Sequence, residues 1–426
     1  EAAQLKAIVG IELAHSEISY THQTMRECNT NTLLAAVAVG YEGPVFSTAD
    51  HRQFNRSIAQ EVHEAILQLF EKKPELRREL ENPQELMKAF RESAPQTLIE
   101  KFDAELNRLL SVCEEDLASG IVRQALNGLI TSEFLIALRI KAHNLGLRIA
   151  IGAEVGEIGG AEAEKTVEIS SKTTDPEEVK AFLETVKREI GLTQKRIYKA
   201  RSESEISLLA KELHVTEAQL IGFKQYLRSG NEIKSLDKLS IYTGTAHGKG
   251  GEIDFDTIDA CAKVAKKYGI PGIVQHGTSK IKQRGNFKKF PEAGVVEVHF
   301  ATGVQDLLYD APYRLPGMDI PDGEPAIRIP DSTNPDQPLG FLPGRLLLTH
   351  YIELTKRHKE PNALLKRLLE GRLTKEDYVF FHEERKRVSP KIKEALWNIP
   401  EAQRNKIIDE LGREFRFVIT SMGAAG

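Results

Sequence analysis

The chain has 426 residues, of which 41% are hydrophobic and 28% charged, amounts that suit a folded protein with a sizeable core. Its formal net charge of -4 excludes the global positive field of a protein that binds nucleic acid or an anionic membrane through overall charge. Three scattered cysteines and the lack of any run of about 18 apolar residues argue against a disulfide framework, a thiolate zinc site and a membrane span. We therefore expect a cytoplasmic protein.

Short, mostly apolar runs alternate with long, charged stretches along the chain. Such runs are typical of parallel strands that are covered on both faces. Because helical segments separate several of them, the pattern predicts an α/β protein with a parallel sheet. In chain order the runs are 43–50 (GPVFSTAD), 147–154 (LRIAIGAE), 239–244 (LSIYTG), 272–276 (GIVQH) and 295–302 (VVEVHFAT).

Ionisable residues lie where the predicted strands end. Asp50 and His51 end or follow the first run, and Glu154 closes the second. His247 lies just past the third run, and His276 ends the fourth. In a (β/α)8 barrel these strand ends form the catalytic rim. The sequence therefore predicts a (β/α)8 TIM barrel that carries its functional residues at one rim.

Long helical stretches interrupt this predicted barrel. Residues 53–119 are dense in Glu, Lys, Arg and Leu at helical spacing, and residues 175–234 have the pattern of several helices. Both are too long for ordinary barrel connections. We expect a catalytic barrel domain over 1–342 with these two helical insertions, and a helical C-terminal extension over 343–426. Insertions of this kind support oligomer contacts or cover a site, and we expect a homo-oligomer.

Three histidines are candidate metal ligands. His51, His247 and His276 each lie at or just past a predicted strand end, beside small residues. Strand ends converge in a barrel, and three histidines with an oxygen ligand and an open position are a common catalytic Zn²⁺ arrangement. Glu154 is the candidate oxygen ligand. The alternative is three unrelated loop histidines, and the same ligands also suit Co²⁺, Mn²⁺ or Fe²⁺.

Glycine-flanked segments beside two of these histidines suggest a phosphate site. Residues 243–251 (TGTAHGKGG) and 276–279 (HGTS) combine hydroxyl donors with glycines, whose backbone N–H groups can approach an anion closely. Ordinary tight loops use the same residues. The acidic segment 154–164 (EVGEIGGAEAE) offers carboxylates for metal binding or proton transfer on a glycine-hinged loop, or it is a solvated acidic loop.

In this order, the segments resemble those of the class II, metal-dependent fructose-bisphosphate aldolases. The resemblance covers the strands from about residue 40 to 310 and excludes the helical insertions and the tail. His299 and Ala301 stand where the family has an Asn and an Asp, and no residue matches the arginine that receives the far phosphate. The matching segments are DH at 50–51, EVGEIGG at 154–160, GTAHG at 244–248, HGTS at 276–279 and HFAT at 299–302.

The resemblance implies a lyase that cleaves fructose 1,6-bisphosphate into dihydroxyacetone phosphate and glyceraldehyde 3-phosphate through a metal-stabilised enediolate. Asp50 would act on the C4 hydroxyl, and Glu162 would exchange the proton at C3. His299 would be a substrate contact. The metal, most simply Zn²⁺, would be bound by His51, Glu154, His247 and His276. The phosphate of the dihydroxyacetone half would be received by Gly248, Gly277, Ser279 and Thr302.

Members of this family also bind a monovalent cation near these backbone segments. Two other functions remain open at this point. The first is a metal-dependent epimerase, or an aldolase acting on another sugar or sugar phosphate, because the same metal chemistry serves those reactions. The second is a non-catalytic barrel subunit whose helical insertions grip a partner.

Overall fold

One parallel sheet organises the chain. A computed structural model describes residues 7–14, 17–18, 23–73, 89–127, 132–155, 160–162, 165–167, 173–244, 252–278, 284–301, 327–330, 338–342, 352–370, 372–384 and 401–423. The strands are β1 (Val9–Ala14), β2 (Val45–Gln53), β3 (Arg123–Asn127), β4 (Ala150–Val155), β5 (Gly160–Glu162), β6 (Lys165–Val167), β7 (Lys238–Ile241), β8 (Ile273–Gln275), β9 (Val295–Val298), β10 (Ile327–Pro330) and β11 (Pro338–Leu342).

Seven of these strands form the sheet in the order β1-β2-β3-β4-β7-β8-β9, and every pairing within it is parallel. The strands therefore follow one another across the sheet as they follow one another along the chain. Strands β5 and β6 form a small antiparallel hairpin of their own, and so do β10 and β11. Because all the pairings are parallel, the carboxyl ends of the seven sheet strands lie on the same side of the sheet.

Helices connect the sheet strands and cover the outer face, and in the described part of the chain three further helices follow the last strand. They are α1 (Met25–Ala38), α2 (Arg56–Lys72), α3 (Gln96–Ala118), α4 (Ser132–Asn144), α5 (Pro176–Lys199), α6 (Glu203–Glu212), α7 (Glu217–Arg228), α8 (Phe255–Lys267), α9 (Lys289–Glu292), α10 (Pro361–Leu369), α11 (Lys375–Glu384) and α12 (Glu401–Ser421). Helices α2 and α3 lie between β2 and β3, and α5, α6 and α7 lie between β4 and β7. Within the residues that the structure describes, no helix is both long and apolar enough to cross a membrane.

Local sequence sets where the helices of the second insertion begin. Each of α5, α6 and α7 starts at a capping box, in which an N-cap side chain and a Glu or Gln three residues later bond to each other's backbone N–H groups. The reciprocal bonds satisfy donors that the first helical turn leaves unpaired. The three pairs are Asp175–Glu178, Ser202–Glu205 and Thr216–Gln219.

The prediction of a closed (β/α)8 barrel is wrong. Among the described strands the sheet has seven members, and β1 and β9 are edges that do not pair with each other. The sheet is nevertheless curled, because Arg123 of β3 reaches Glu297 of β9, and Glu12 of β1 reaches His299 just beyond β9. The result is a half-barrel. Alternation of strands and helices predicts which strands are neighbours, but it does not determine whether the two edges of the sheet meet.

The outer face of the sheet and its covering helices form the main hydrophobic core. Large apolar side chains from β3, β4, β7 and β8 join residues of α3, α4, α5 and α8 in one buried cluster. This layer holds the sheet from outside and leaves its concave inner face for polar residues. The strand residues in the cluster include Leu126, Ile151, Leu239, Ile241 and Ile273, each at most 1% exposed.

Candidate functional site

Asp50 lies on the inner face near the carboxyl end of β2. Four residues earlier on the same strand, the Phe46 ring lies 4.0 Å from the Arg123 guanidinium carbon, and Arg123 points into the concave side of the sheet. Because alternate residues of a strand share a face, Asp50 faces the same way as Phe46. Asp50 is buried and pairs in register with Ala14 of β1. The predicted acid/base residue therefore faces the interior.

Glu154 lies on the inner face near the carboxyl end of β4. A Cβ atom on Gly152, two residues earlier, would lie 2.6 Å from Cγ of Lys238, whose side chain also points inward. Glu154 shares this face by alternation and is aligned with Ser240 on β7. It is half-buried at the inner wall of the sheet.

His276 follows β8 and is buried. Its Nε2 lies 3.2 Å from the hydroxyl oxygen of Ser240, so the side chain contacts the residue that neighbours Glu154. Only β7 separates β4 from β8, which places the backbones that carry Glu154 and His276 about 10 Å apart at normal strand spacing. Side chains of these two types can converge on one ion across that distance.

The His276 ring stacks on the ring of His299, which follows β9. The ring centroids are 4.4 Å apart and the planes are tilted by 23°. His299 Nδ1 lies 2.9 Å from Oε2 of Glu12, and its Nε2 lies 2.7 Å from Oε1 of Glu297. With a carboxylate at each ring nitrogen, both nitrogens donate and the ring is an imidazolium. We call Glu12, His299 and Glu297 the imidazole clamp.

Electrostatics reinforce the charged state of the clamp. Burial alone disfavours the charged ring, but the charges and hydrogen bonds of Glu12 and Glu297 raise the pKa of His299 to about 10. Burial likewise opposes ionisation of Glu297, yet the hydrogen bond from His299 and the charges of Lys238 and Arg123 hold its pKa well below the usual range. The pKa of Glu12 is lowered against its burial, chiefly by His299. The surroundings therefore favour the charged form of each of the three residues.

Two cationic side chains, at the amino ends of β7 and β3, form ion pairs with the clamp. Lys238, the first residue of β7, lies 3.1 Å from Oε1 of Glu297. Arg123, the first residue of β3, bonds through its guanidinium to the other oxygen of Glu297. Glu297 thus accepts from three cationic side chains on the inner face. The floor of the half-barrel is an ion-pair network contributed by β1, β3, β7 and β9.

The clamp also has the donor types of a cation site, because a His nitrogen and two carboxylate oxygens lie within 4.8 Å of one another. Two features of the geometry oppose this use. Both His299 nitrogens already face carboxylates, and the ammonium of Lys238 lies beside Glu297, where it would repel a divalent ion. Among the described residues the clamp is the one group of three such donors within that distance, so Asp50, Glu154 and His276 do not by themselves bring three donor atoms together.

Several predicted site residues lie wholly or partly outside what the structure describes. Residues 245–251, which contain His247 and Gly248, lie outside the described residues, between Gly244 and Glu252. Gly244 has φ of +92°, and a Cβ there would lie 2.7 Å from the Glu252 carbonyl oxygen, so the two ends of this segment touch. Only the backbone is described for His51 in β2 and for Glu162, which pairs with Lys165 in the hairpin. The others outside the described residues are Ser279 and Thr302.

Gly277, a predicted phosphate-binding residue, has φ of +67° directly after His276. This left-handed backbone turns the chain sharply at the end of β8 and suits glycine. The next residue, Thr278, is buried and donates its hydroxyl to the His299 carbonyl oxygen at 2.7 Å. The segment after β8 is therefore fastened to the segment after β9, which keeps His276 and His299 together.

Sequence reasoning missed the residues that support His276. Glu12, Ser240 and Glu297 lie on strands but belong to no motif, and their partners come from distant parts of the chain. Arg123 and Glu297, for example, are 174 positions apart. The signal that was available is the charge itself, since Glu297 interrupts an otherwise apolar strand. A charged residue at a buried strand position implies a partner.

Comparisons with known proteins add no family to this geometry. No protein-family model matches the chain, and no curated protein sequence matches it.

Proposed function

We propose that the chain is a metal-dependent aldolase that cleaves and forms the C3–C4 bond of a ketose phosphate, with fructose 1,6-bisphosphate as its substrate. One observation carries the proposal. Asp50, Glu154 and His276, from β2, β4 and β8, lie at the carboxyl edge of one sequentially ordered parallel sheet. Catalytic residues of curled parallel sheets come from the ends of several strands in this way. The proposal adds to this placement the resemblance of the motifs to those of class II aldolases.

The proposed metal ligands are His51, Glu154, His247 and His276, and Zn²⁺ is the ion that suits them most simply. When bound, the metal supplies Lewis-acid polarisation of the ketose carbonyl. His276 and Glu154 support this assignment, because both approach the same part of the inner face on either side of Ser240. The proposal includes a monovalent cation beside these segments, as in the aldolases that the motifs resemble.

The chain's own carboxylates would transfer the protons. In the cleavage direction, Asp50 takes the proton of the C4 hydroxyl as the C3–C4 bond breaks and C4 leaves as the aldehyde. Glu162 then delivers a proton to C3, whose electron pair came from the broken bond. Each such group contributes about 10²–10⁴-fold when it is well placed. The phosphate of the dihydroxyacetone half binds at Gly248, Gly277, Ser279 and Thr302.

A lysine Schiff base has no part in this mechanism. Lys238 is buried on the inner face, but its ammonium is ion-paired with Glu297 at the amino end of β7. A lysine held in such an ion pair is not placed to attack a substrate carbonyl. Borohydride in the presence of dihydroxyacetone phosphate should therefore leave the mass of the protein unchanged.

A second candidate is an aldolase or epimerase acting on another sugar phosphate. The position of His299 favours it, since both ring nitrogens of this predicted substrate contact are engaged by Glu12 and Glu297. A substrate hydroxyl would have to replace one of those carboxylates. The resemblance also lacks the arginine for a second phosphate, so a singly phosphorylated sugar fits the same metal chemistry.

We further propose that the protein acts in the cytoplasm as a homo-oligomer on small sugar phosphates. The net charge of -4 supports a small-molecule partner over nucleic acid, because it provides no overall attraction to a polyanion. Membrane partners are not part of the proposal. The helices inserted after β2 and β4 are the proposed contacts between subunits.

The test combines metal analysis with a coupled cleavage assay on fructose 1,6-bisphosphate, with chelator and with metal added back. We expect chelator to abolish activity and Zn²⁺ or Co²⁺ to restore it. His276→Ala should lose the metal and at least about 10²-fold in kcat/KM, because it removes a ligand. His143→Ala is the control, since His143 is a half-buried histidine whose ring lies 4.7 Å from that of Tyr226, away from the sheet interior.

Four results would contradict the proposal. Full metal content and activity in His276→Ala would exclude this metal site. A borohydride-trapped adduct would replace the metal mechanism with a lysine one. Cleavage or epimerisation of a monophosphate without action on the bisphosphate would favour the second candidate, and a wild-type protein without metal or activity would favour a non-catalytic subunit.

A further inference from the structure

We propose that His299 is a positioning residue, and that the imidazole clamp of Glu12, His299 and Glu297 fixes the ring of His276 for metal binding. This inference rests on the proposed function, because it takes His276 as a metal ligand. It assigns a task to Glu12 and Glu297, which belong to none of the aldolase motifs, and a positioning task to His299, which the resemblance gives as a substrate contact.

The clamp fixes His299 through both nitrogens of its ring. Nδ1 is held by Glu12 at 2.9 Å and Nε2 by Glu297 at 2.7 Å, so rotation about the Cβ–Cγ bond would break two charged hydrogen bonds. The backbone is also fixed, since the N–H of His299 donates to the Gln275 carbonyl oxygen at 2.8 Å. A ring held at both nitrogens on a fixed backbone presents a rigid planar face.

That face lies against His276. The two rings stack at 4.4 Å with a tilt of 23°, while Ser240 holds Nε2 of His276 at 3.2 Å. The stack restricts tilting of the His276 ring, and the contact with Ser240 restricts its rotation. Partners of this kind orient metal-binding imidazoles, and their removal typically costs about 10–100-fold in metal affinity.

The support continues down to the floor of the half-barrel. Glu297 is held by Lys238 at 3.1 Å and by Arg123, so it cannot follow His299 if the ring shifts. Glu12 approaches from the opposite edge strand, β1. The clamp therefore joins the two edges of the curled sheet, and the position of His276 depends on both of them.

Co²⁺ binding measured by competition with a chromophoric chelator tests the inference. Glu12→Gln keeps the shape of the clamp but removes one charge, and His299→Asn removes the stacked ring. We expect Glu12→Gln to weaken Co²⁺ affinity by about tenfold and His299→Asn by about a hundredfold, with shifted visible absorption bands of bound Co²⁺ in both. His276→Ala should abolish binding.

Asp237→Asn is the matched control. The Asp237 side chain is 21% exposed and that of Glu12 is 20% exposed, and each is ion-paired, Asp237 with Arg139 at 3.0 Å. Asp237 precedes β7 at the opposite end of the sheet from His276, so its loss should lower stability without changing Co²⁺ affinity or spectrum by more than about twofold. If a general loss of stability were the cause, Co²⁺ binding would weaken in Asp237→Asn as much as in Glu12→Gln.

The Co²⁺ measurements distinguish the positioning role of His299 from the proposed metal site. Unchanged Co²⁺ affinity and spectrum in Glu12→Gln and His299→Asn, with binding lost in His276→Ala, would overturn the positioning role and leave the proposed function standing. Binding lost in Glu12→Gln but kept in His276→Ala would make the clamp itself the metal site. Binding kept in all variants, or absent from the wild type, would overturn the proposed metal site and the positioning role together. If His299→Asn does not fold, Glu12→Gln alone carries the same comparison.

Discussion

The two faces of the sheet are built on opposite principles. The outer face is a continuous apolar layer in which Leu239, Ile241 and Ile273 pack against helices. The inner face carries Glu12, Arg123, Lys238, Glu297 and His299, whose charges meet across the curl of the sheet. The outer face is stabilised by removing apolar area from water, which tolerates many sequences. The inner face is stabilised only when each charge has its partner, and it ends at the candidate site.

The largest expected effect is that of breaking the charge balance of the inner face. Glu297→Ala leaves Lys238, Arg123 and the His299 ring without their shared acceptor, so we expect the free energy of unfolding to fall by about 3–5 kcal/mol. Lys238→Met in the Glu297→Ala background should recover part of this loss, because it removes a buried cation that has lost its partner. Denaturant unfolding of both variants measures the effect.

Asp259→Ala serves as the control for that experiment, since its ion pair with Lys263 is exposed and should change stability by less than about 0.5 kcal/mol. A loss below about 1 kcal/mol in Glu297→Ala would be too small for a partly buried acceptor shared by three cations. Such a result would mean that the inner face does not depend on its charges.

A cavity in the outer face should cost slightly less. Leu239 is fully buried, so Leu239→Ala should lower the free energy of unfolding by about 2–5 kcal/mol through lost burial and the cavity that remains. No second substitution on the inner face should rescue it. Leu208→Ala, at a side chain that is 59% exposed, is the control and should lie within about 0.5 kcal/mol of wild type.

A smaller, pH-dependent effect is expected from Glu189 of α5, a carboxyl buried in the helical layer. Burial raises its pKa from the ordinary 4.5 to about 7. The folded state therefore keeps the proton up to about pH 7, while the unfolded chain releases it near 4.5, so stability falls as pH rises through that window. The difference between the two pKa values corresponds to roughly 3 kcal/mol above pH 7.

Glu189→Gln removes this dependence, because the amide does not titrate. Thermal unfolding of both proteins from pH 4 to pH 8 should show little difference at pH 4 and a more stable variant at pH 8. A constant difference across this range would mean that Glu189 is ionised in the folded protein.

The strands that the sequence predicted are those with mostly apolar or small side chains on both faces. The runs that contain β2, β4, β7, β8 and β9 have this character, and the residues at their ends directed attention to Asp50, Glu154 and His276. Strands β1 and β3 were missed because their inner positions hold Glu12 and Arg123. These charges are compensated by residues that are remote in sequence, and no local pattern indicates that compensation.

The sequence also could not predict whether the sheet closes or which residues surround His299, because both depend on contacts between distant strands. Strand–helix alternation gives the order of neighbours, whereas the meeting of edges depends on twist and curl along the whole sheet. The motif resemblance placed His299 among the substrate contacts. Its ring instead lies between two carboxylates, because strands β1 and β9 bring Glu12 and Glu297 to it from opposite edges.

The lack of a side chain at Gly152 also restricts which residues can occupy the positions of Lys238 and Glu297. Lys238 crosses the space where a Cβ would sit, with its Cγ 2.6 Å from that point. A relative with alanine at the position of Gly152 would need a shorter or differently directed residue at the position of Lys238, and Glu297 would then lose a cation. Natural variation should therefore show these three positions changing as a group. Substitution patterns among relatives would record this constraint even where the catalytic motifs have drifted.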